Sequence, residues 1–159
     1  MLAQLGKSRT RDTRGLPIGG GRGYPESAEE RKVLVDAVRV YGGFSAERAN
    51  QLFERYGTRV EDIATYLLQR QDAPLRTMPG YSRREIAFLA ETEKVEHLDD
   101  LLLRRSMLAM LGRLSGESVR EIAQVVGESL GWDQKRTSDE VQRSVTILSD
   151  LHNARLPAA

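Results

Sequence analysis

The residues able to do chemistry are few, and their types exclude whole classes of reaction. The chain has no cysteine, which removes thiol nucleophiles, disulfides, zinc ribbons and thiolate-held iron–sulfur clusters. Its two histidines, His97 and His152, are too few for a histidine-rich metal site, so the expected metal-ligand set is none. His97 stands where a helix cap is expected, just before Leu98-Asp99-Asp100. His152 falls in the last turn of the final expected helix, where a cation meets the negative dipole end. No nucleophile, base and acid stand at a spacing that defines a catalytic set, so no catalytic residue is assigned.

The densest charged group is Glu91, Glu93, Asp99, Asp100, Arg104 and Arg105. Asp100 and Arg104 are four apart, neighbours on one helix face with the acid N-terminal. The arginines are expected to pair with carboxylates of the preceding helix through their planar forks. An anion-binding site is the alternative, but the charges partly balance, which favours a structural ion-pair network of Glu93, Asp100, Arg104 and Arg105.

Two further patterns bear on ligands. Residues 118–143 contain Ala123-x-x-x-Gly127, the small-residue and turn-glycine spacing of a DNA-binding helix-turn-helix, with Lys135, Arg136 and Arg143 near its second helix. Against it, the better stop is Gly131-Trp132, and the helical region is net acidic, whereas a DNA reader needs a basic face. The Gly19-Gly20-Gly21-Arg22-Gly23 run suggests a phosphate cradle, but no apolar strand precedes it and no helix opens directly on it.

The elements that must position these groups are helical. Residues 1–24 hold six of the 14 glycines and five basic residues against one acid, and read as a linker or a segment running extended over a larger partner. From Pro25 to about residue 153 the apolar residues recur at helical spacing, and residues 154–159 form a tail. Inward stripes are expected at Leu34, Ala37, Val38 and Tyr41, then Ala49, Leu52, Phe53 and Tyr56, then Val60, Ile63, Ala64, Leu67 and Leu68. Thr58-x-x-Glu61, Ser82-x-x-Glu85 and Ser118-x-x-Glu121 each have the form of a reciprocal helix cap. A loop of about ten residues follows Gln71. Helix five is expected from about Leu98 to Leu114, with Met107 and Met110 filling core. The last helix is expected to turn Val141, Val145, Leu148 and Leu151 inward. No window alternates with period two, so the fold class is all-α, with six to seven helices.

At 159 residues, 40% apolar, 30% charged and a net charge of +1, the chain has the composition of a single soluble domain. The balance argues against a nucleic-acid partner, and the longest apolar run is far too short to span a membrane.

Across nearly its whole length the sequence resembles the C-terminal helical domain of FAD-dependent (aerobic) glycerol-3-phosphate dehydrogenases and the related alpha-glycerophosphate oxidases. Thr13-Arg14-Gly15-Leu16-Pro17-Ile18-Gly19-Gly20, Leu52-x-x-Arg55-Tyr56-Gly57 and Leu130-Gly131-Trp132-Asp133 carry part of the likeness. The stretch E-T-E-K-V-E-H-L-D-D-L-L-L-R-R-S, with Glu93, Asp100, Arg104 and Arg105, is the most specific. His97 and Ser106 stand where that family usually has threonine.

The resemblance implies that flavin and substrate are held by N-terminal domains of a larger parent enzyme, which oxidises glycerol 3-phosphate to dihydroxyacetone phosphate. No flavin fingerprint is present here, so this chain is expected to bind no cofactor and to act as a non-catalytic domain packed on those domains or mediating assembly. The resemblance further implies a cytoplasmic parent, peripheral at the inner membrane face, and leaves a homodimer open.

Overall fold

A computed structural model of the chain describes residues 15–16, 21–154 and 156, and these form helices joined by turns, with one isolated antiparallel bridge between Pro74 and Ser82. The all-α expectation holds. Gly19 and Gly20 of the glycine run, most of the basic segment 1–24 and most of the tail lie outside the described residues, while Gly21, Arg22 and Gly23 form a turn. The backbone packs as two compact units, the first ending at Ala64 and the second beginning at Thr65.

In the first unit α1 (Ala28–Gly42) and α2 (Ala46–Tyr56) pack together. Ser27 and Ser45 cap them, accepting the backbone N–H groups of Glu30 and Arg48, both at 3.1 Å. Of the α2 stripe Ala49, Leu52 and Phe53 are buried as expected, and Tyr56 is half-buried. The α1 stripe is rotated: Val35 and Val38 are buried while Ala37 and Tyr41 are exposed. Arg31 explains part of this face, lying 5.2 Å over the Phe53 ring and 2.9 Å from Glu54. Thr58 does not cap a helix. Its hydroxyl donates to the Arg22 carbonyl at 2.9 Å from a short 3-10 turn, Gly57–Arg59, that leads into α3 (Val60–Leu68). On α3, Val60, Ile63, Ala64 and Leu67 are buried and Leu68 is exposed.

In the second unit α6 (Gly116–Leu130) packs against both α4 (Arg83–Thr92) and α7 (Gln134–Asp150). Ser82 caps α4 as expected, accepting the Glu85 N–H at 3.2 Å. The α6 cap lies three residues earlier than the sequence pattern suggests. Ser115 accepts the Ser118 N–H at 3.1 Å, and the Ser118 hydroxyl accepts the Ser115 N–H at 2.8 Å. Glu121 is thereby left for another task. Helix α6 runs unbroken through Gly127 and stops at Gly131, whose φ of 70° suits a residue without a Cβ.

Gly127 serves close packing instead of a turn. A Cβ there would sit 2.8 Å from Thr137 Oγ1, which itself donates to the Asp133 carbonyl at 2.9 Å, and 3.6 Å from Trp132 Cβ. Gly127→Ala gains about 1 kcal/mol of helix propensity but incurs roughly 1–3 kcal/mol of overpacking. A net loss of about 1 kcal/mol is expected, read as a lower midpoint in urea unfolding; a raised midpoint would contradict it.

The stretch expected as one long helix, 98–114, is not one. A single turn, α5 (Leu98–Asp100), widens into π geometry over Leu101–Arg105 and ends at Ser106, whose φ and ψ of −143° and 170° are extended. The Ser106 hydroxyl donates to the Leu101 carbonyl at 2.7 Å and satisfies the broken end. A turn follows in which Leu108 and Leu114 are buried but Met107 and Met110 are 53% and 76% exposed, so neither methionine fills core.

Candidate functional site

The charged residues of the second unit converge where α5 meets α7. A helix of one turn leaves its first N–H groups without intrahelical partners, and burial makes that costly. Leu98 is fully buried, and its N–H donates to Glu140 of α7 at 2.9 Å. The other Glu140 oxygen takes His97 Nδ1 at 2.7 Å; facing a carboxylate, that nitrogen carries the proton and donates. The next acid, Asp99, is buried and accepts Arg143 Nε at 3.1 Å. Arg136 closes the seam, donating to the Glu96 carbonyl at 3.1 Å while stacking 4.8 Å from the Trp132 ring centre. Arg136, Glu140 and Arg143, spaced four and three apart, form the face of α7 that grips residues 96–99.

Of the four residues singled out by spacing, Asp100 and Arg104 do meet, at 2.9 Å. Asp100 also accepts the N–H groups of His97 at 3.0 Å and Glu96 at 3.3 Å, tying off the entry to the turn. Partial burial raises the Asp100 pKa, but these N–H groups, Arg104 and His97 outweigh it and hold the carboxyl below its usual range. Glu93 lies elsewhere in function, as the C-terminal cap residue of α4. Arg105 is exposed, and no carboxylate among the described residues pairs with it. His97 caps α5 as expected, while His152 lies exposed beyond the end of α7.

Asp99 is a buried acid balanced by a half-exposed arginine. Arg143→Ala leaves its buried carboxylate without the charge that balances it, an expected loss of about 2 kcal/mol after discounting for the half-exposed arginine. Arg104→Ala removes a surface i,i+4 pair and is expected to cost less than about 0.5 kcal/mol. Equal effects of the two substitutions in thermal melts would refute this ordering.

A second carboxylate pins the loop before α4. Glu121 accepts the N–H of Arg76 at 2.8 Å, and the N–H and hydroxyl of Thr77 at 2.9 and 2.5 Å. The loop is closed on itself as well, with Leu75 N–H donating to the Tyr81 carbonyl at 2.8 Å and Arg83 N–H to Ala73 at 2.9 Å. It is long because it is a built turn that buries Leu75, Met78 and Tyr81. Burial raises the Glu121 pKa, yet Thr77, the Arg76 N–H and the Arg76 charge together hold it below the ordinary value.

Beside this loop lies an open cleft of about 350 Å³ walled by Asp72, Arg83, Arg84 and Glu128 among others. Arg83 is spent on Glu128 at 2.8 Å, and Arg84 stacks 4.3 Å over Tyr66 while donating to its carbonyl. Burial first, then Glu91, push the Tyr66 hydroxyl up to about 12, which fits a structural phenol and not a proton shuttle. Among the described residues no three histidines, aspartates or glutamates gather to hold a metal ion.

The helix-turn-helix alternative loses its geometry and its charges together. No turn forms at Gly127, Lys135 pairs with Asp139 at 2.5 Å, and Arg136 and Arg143 are engaged within the chain. Among the described residues no strand leads through a glycine-rich turn into a helix N-terminus, the arrangement by which a dinucleotide-binding fold holds a pyrophosphate.

The described residues thus form an all-α module in which Asp99, Glu121 and Glu140 bind other parts of the same chain. In comparison with known proteins, residues 11–137 match the C-terminal domain of alpha-glycerophosphate oxidase, and the chain belongs to that family. A glycerol-3-phosphate dehydrogenase of Mycobacterium leprae is 30% identical over 127 residues, covering 78% of this chain and 20% of its own. Glycerol-3-phosphate dehydrogenase 2 of Mycobacterium tuberculosis and of Mycobacterium bovis are each 31% identical over 106 residues, 65% of this chain and 17% of theirs. The chain thus spans about a fifth of the length of these relatives. No solved structure matches. The stretch most specific to the resemblance, 91–106, is the one gripped by α7. Spacing alone missed Glu140 and gave Arg143 and Glu121 other tasks, although the four-and-three spacing of Arg136, Glu140 and Arg143 is a signal in the sequence.

Proposed function

We propose that this chain serves as the non-catalytic helical domain of an FAD-dependent glycerol-3-phosphate dehydrogenase, packing against the part that holds flavin and substrate. The observation that carries this reading is the match of about four fifths of the chain to about a fifth of each relative, in a region whose buried acids are paired internally. In the parent enzyme, glycerol 3-phosphate would be oxidised to dihydroxyacetone phosphate at FAD held outside this chain. The structural network around Asp99, Asp100 and Glu140 then has a role of its own, holding residues 96–105 in the shape the partner surface meets. A peripheral contact at the inner membrane face, which the resemblance implies, and a homodimer, which it leaves open, would belong to that assembled enzyme. No helix among the described residues is long and apolar enough to cross a membrane.

The test adds the purified chain to the flavin-loaded Mycobacterium leprae dehydrogenase from which the matching segment has been removed. Binding to the native partner raises its melting temperature by mass action, increasingly with chain concentration. A partner whose melting is unmoved at every concentration refutes the reading.

A further inference from the structure

We propose that the turn 106–113, carrying Met107, Met110 and Leu111, is the surface by which this domain docks on the flavin- and substrate-holding part of the enzyme; this rests on the functional reading above. The turn is built like an interface and not like a frayed helix end. Leu108 and Leu114 anchor it beneath, both buried, while Met107, Met110 and Leu111 stand outward together, Leu111 49% exposed. Their backbone is fixed: Ala109 N–H donates to the Leu102 carbonyl at 3.3 Å, Leu111 N–H to Met107 at 3.1 Å, and Gly112 N–H to Ala109 at 3.2 Å. The φ of 61° at Gly112 lets the chain reverse there. A pre-formed apolar knob loses little entropy on docking.

Its charge is one-sided. From Leu101 to Gly116 there is no acidic residue, and Arg104, Arg105 and Arg113 flank the apolar tip. Arg104 already serves Asp100, so Arg105 and Arg113 are the cations left to a partner. The chemistry that fits is an apolar hollow rimmed by carboxylates. Methionine and arginine are enriched at protein interfaces. A segment seated in a membrane interface commonly adds tryptophan or tyrosine at the headgroup level, and 101–116 contains neither. The four fifths of each relative that lie outside the match supply a protein partner of ample size.

The experiment titrates the full chain calorimetrically into the truncated, flavin-loaded Mycobacterium leprae dehydrogenase. It compares wild type with M107D/M110D and with R105A/R113A, and repeats each as sedimentation with phosphatidylcholine–phosphatidylglycerol vesicles. The substituted side chains are exposed, so circular dichroism and melting of the free variants should match wild type. The expected result is a loss of about tenfold or more in affinity for M107D/M110D, the scale of losing an interface anchor. R105A/R113A should bind more weakly and with a shallower salt dependence. Wild-type binding that both variants retain overturns the surface while leaving the functional reading intact. Absence of wild-type binding overturns both. Vesicle binding that depends on Met107 and Met110, without flavoprotein binding, overturns the proposal in favour of lipid.

Discussion

Glu140→Ala is expected to be the most damaging polar substitution in this chain. Two acceptors vanish at once: the fully buried Leu98 N–H loses the carboxylate oxygen that accepts it at 2.9 Å, and His97 Nδ1 loses a bond of 2.7 Å. An orphaned buried N–H costs about 1–3 kcal/mol, and a charge-assisted bond contributes about 1.5–3 kcal/mol. Allowing for the half-exposed His97 ring and for relaxation, the expected loss is about 3 kcal/mol, or a melting temperature lower by about 10 °C. Glu140→Gln keeps one acceptor oxygen for Leu98 and should recover about half of that. Because α5 is a single turn with few bonds of its own, the loss should surface first as faster amide exchange across residues 98–105. Melting and exchange that are both unchanged in Glu140→Ala would show that α7 does not hold this turn.

The second large effect is at Glu121, and it carries a pH signature. Its carboxyl is held below its ordinary value of 4.5 in the fold. A group depressed in the folded state contributes stability that is fully present above the unfolded pKa and is lost as pH falls through the folded one. Stability should therefore decline as acid is added below about pH 4.5, part of it from Glu121 and part from Asp100, which is depressed in the same direction. Glu121→Gln removes the ionised acceptor of three donors and is expected to cost about 2 kcal/mol at neutral pH, the site being partly solvated. It should also flatten the acid limb of the stability curve. A variant that lowers neutral stability yet keeps the full acid slope would mean the Thr77 and Arg76 bonds do not set the Glu121 titration.

Much of this architecture could be read from residue spacing, and the failures share a cause. The helices whose apolar stripe is uninterrupted, α2 and α3, buried the residues their period predicts, apart from the half-buried Tyr56 and the exposed Leu68. Helix α7 did so only at Leu148: Val141 and Val145 are half-buried and Leu151 is exposed, while Glu140 and Ser144 face inward beside Leu148. The rotation brings Glu140 to the start of α5, a demand set by a partner 42 residues away that no local pattern records. Helix five ended early for a similar reason. Leu101 to Leu111 has helical period and good propensity, yet Ser106 takes the Leu101 carbonyl and the chain turns, leaving two methionines outside. Among the charges, the i,i+4 pair Asp100–Arg104 was visible because it is local. Asp99–Arg143 and the Glu121 clamp were not, since they join positions 44 or 45 residues apart. The family stretch 91–106 was legible as a pattern before its task was legible as packing.

The central claim is that this chain is the helical domain of a flavoenzyme and performs its task in contact with the flavin-holding part. The most direct measurement replaces the matching segment of the Mycobacterium leprae dehydrogenase with residues 11–137 of this chain and determines flavin content and glycerol 3-phosphate oxidation of the purified hybrid. The expected hybrid unfolds in one transition, retains FAD and turns over substrate, whereas the enzyme lacking the segment does so poorly. A hybrid no better in flavin retention and turnover than the enzyme without any such segment would contradict the claim.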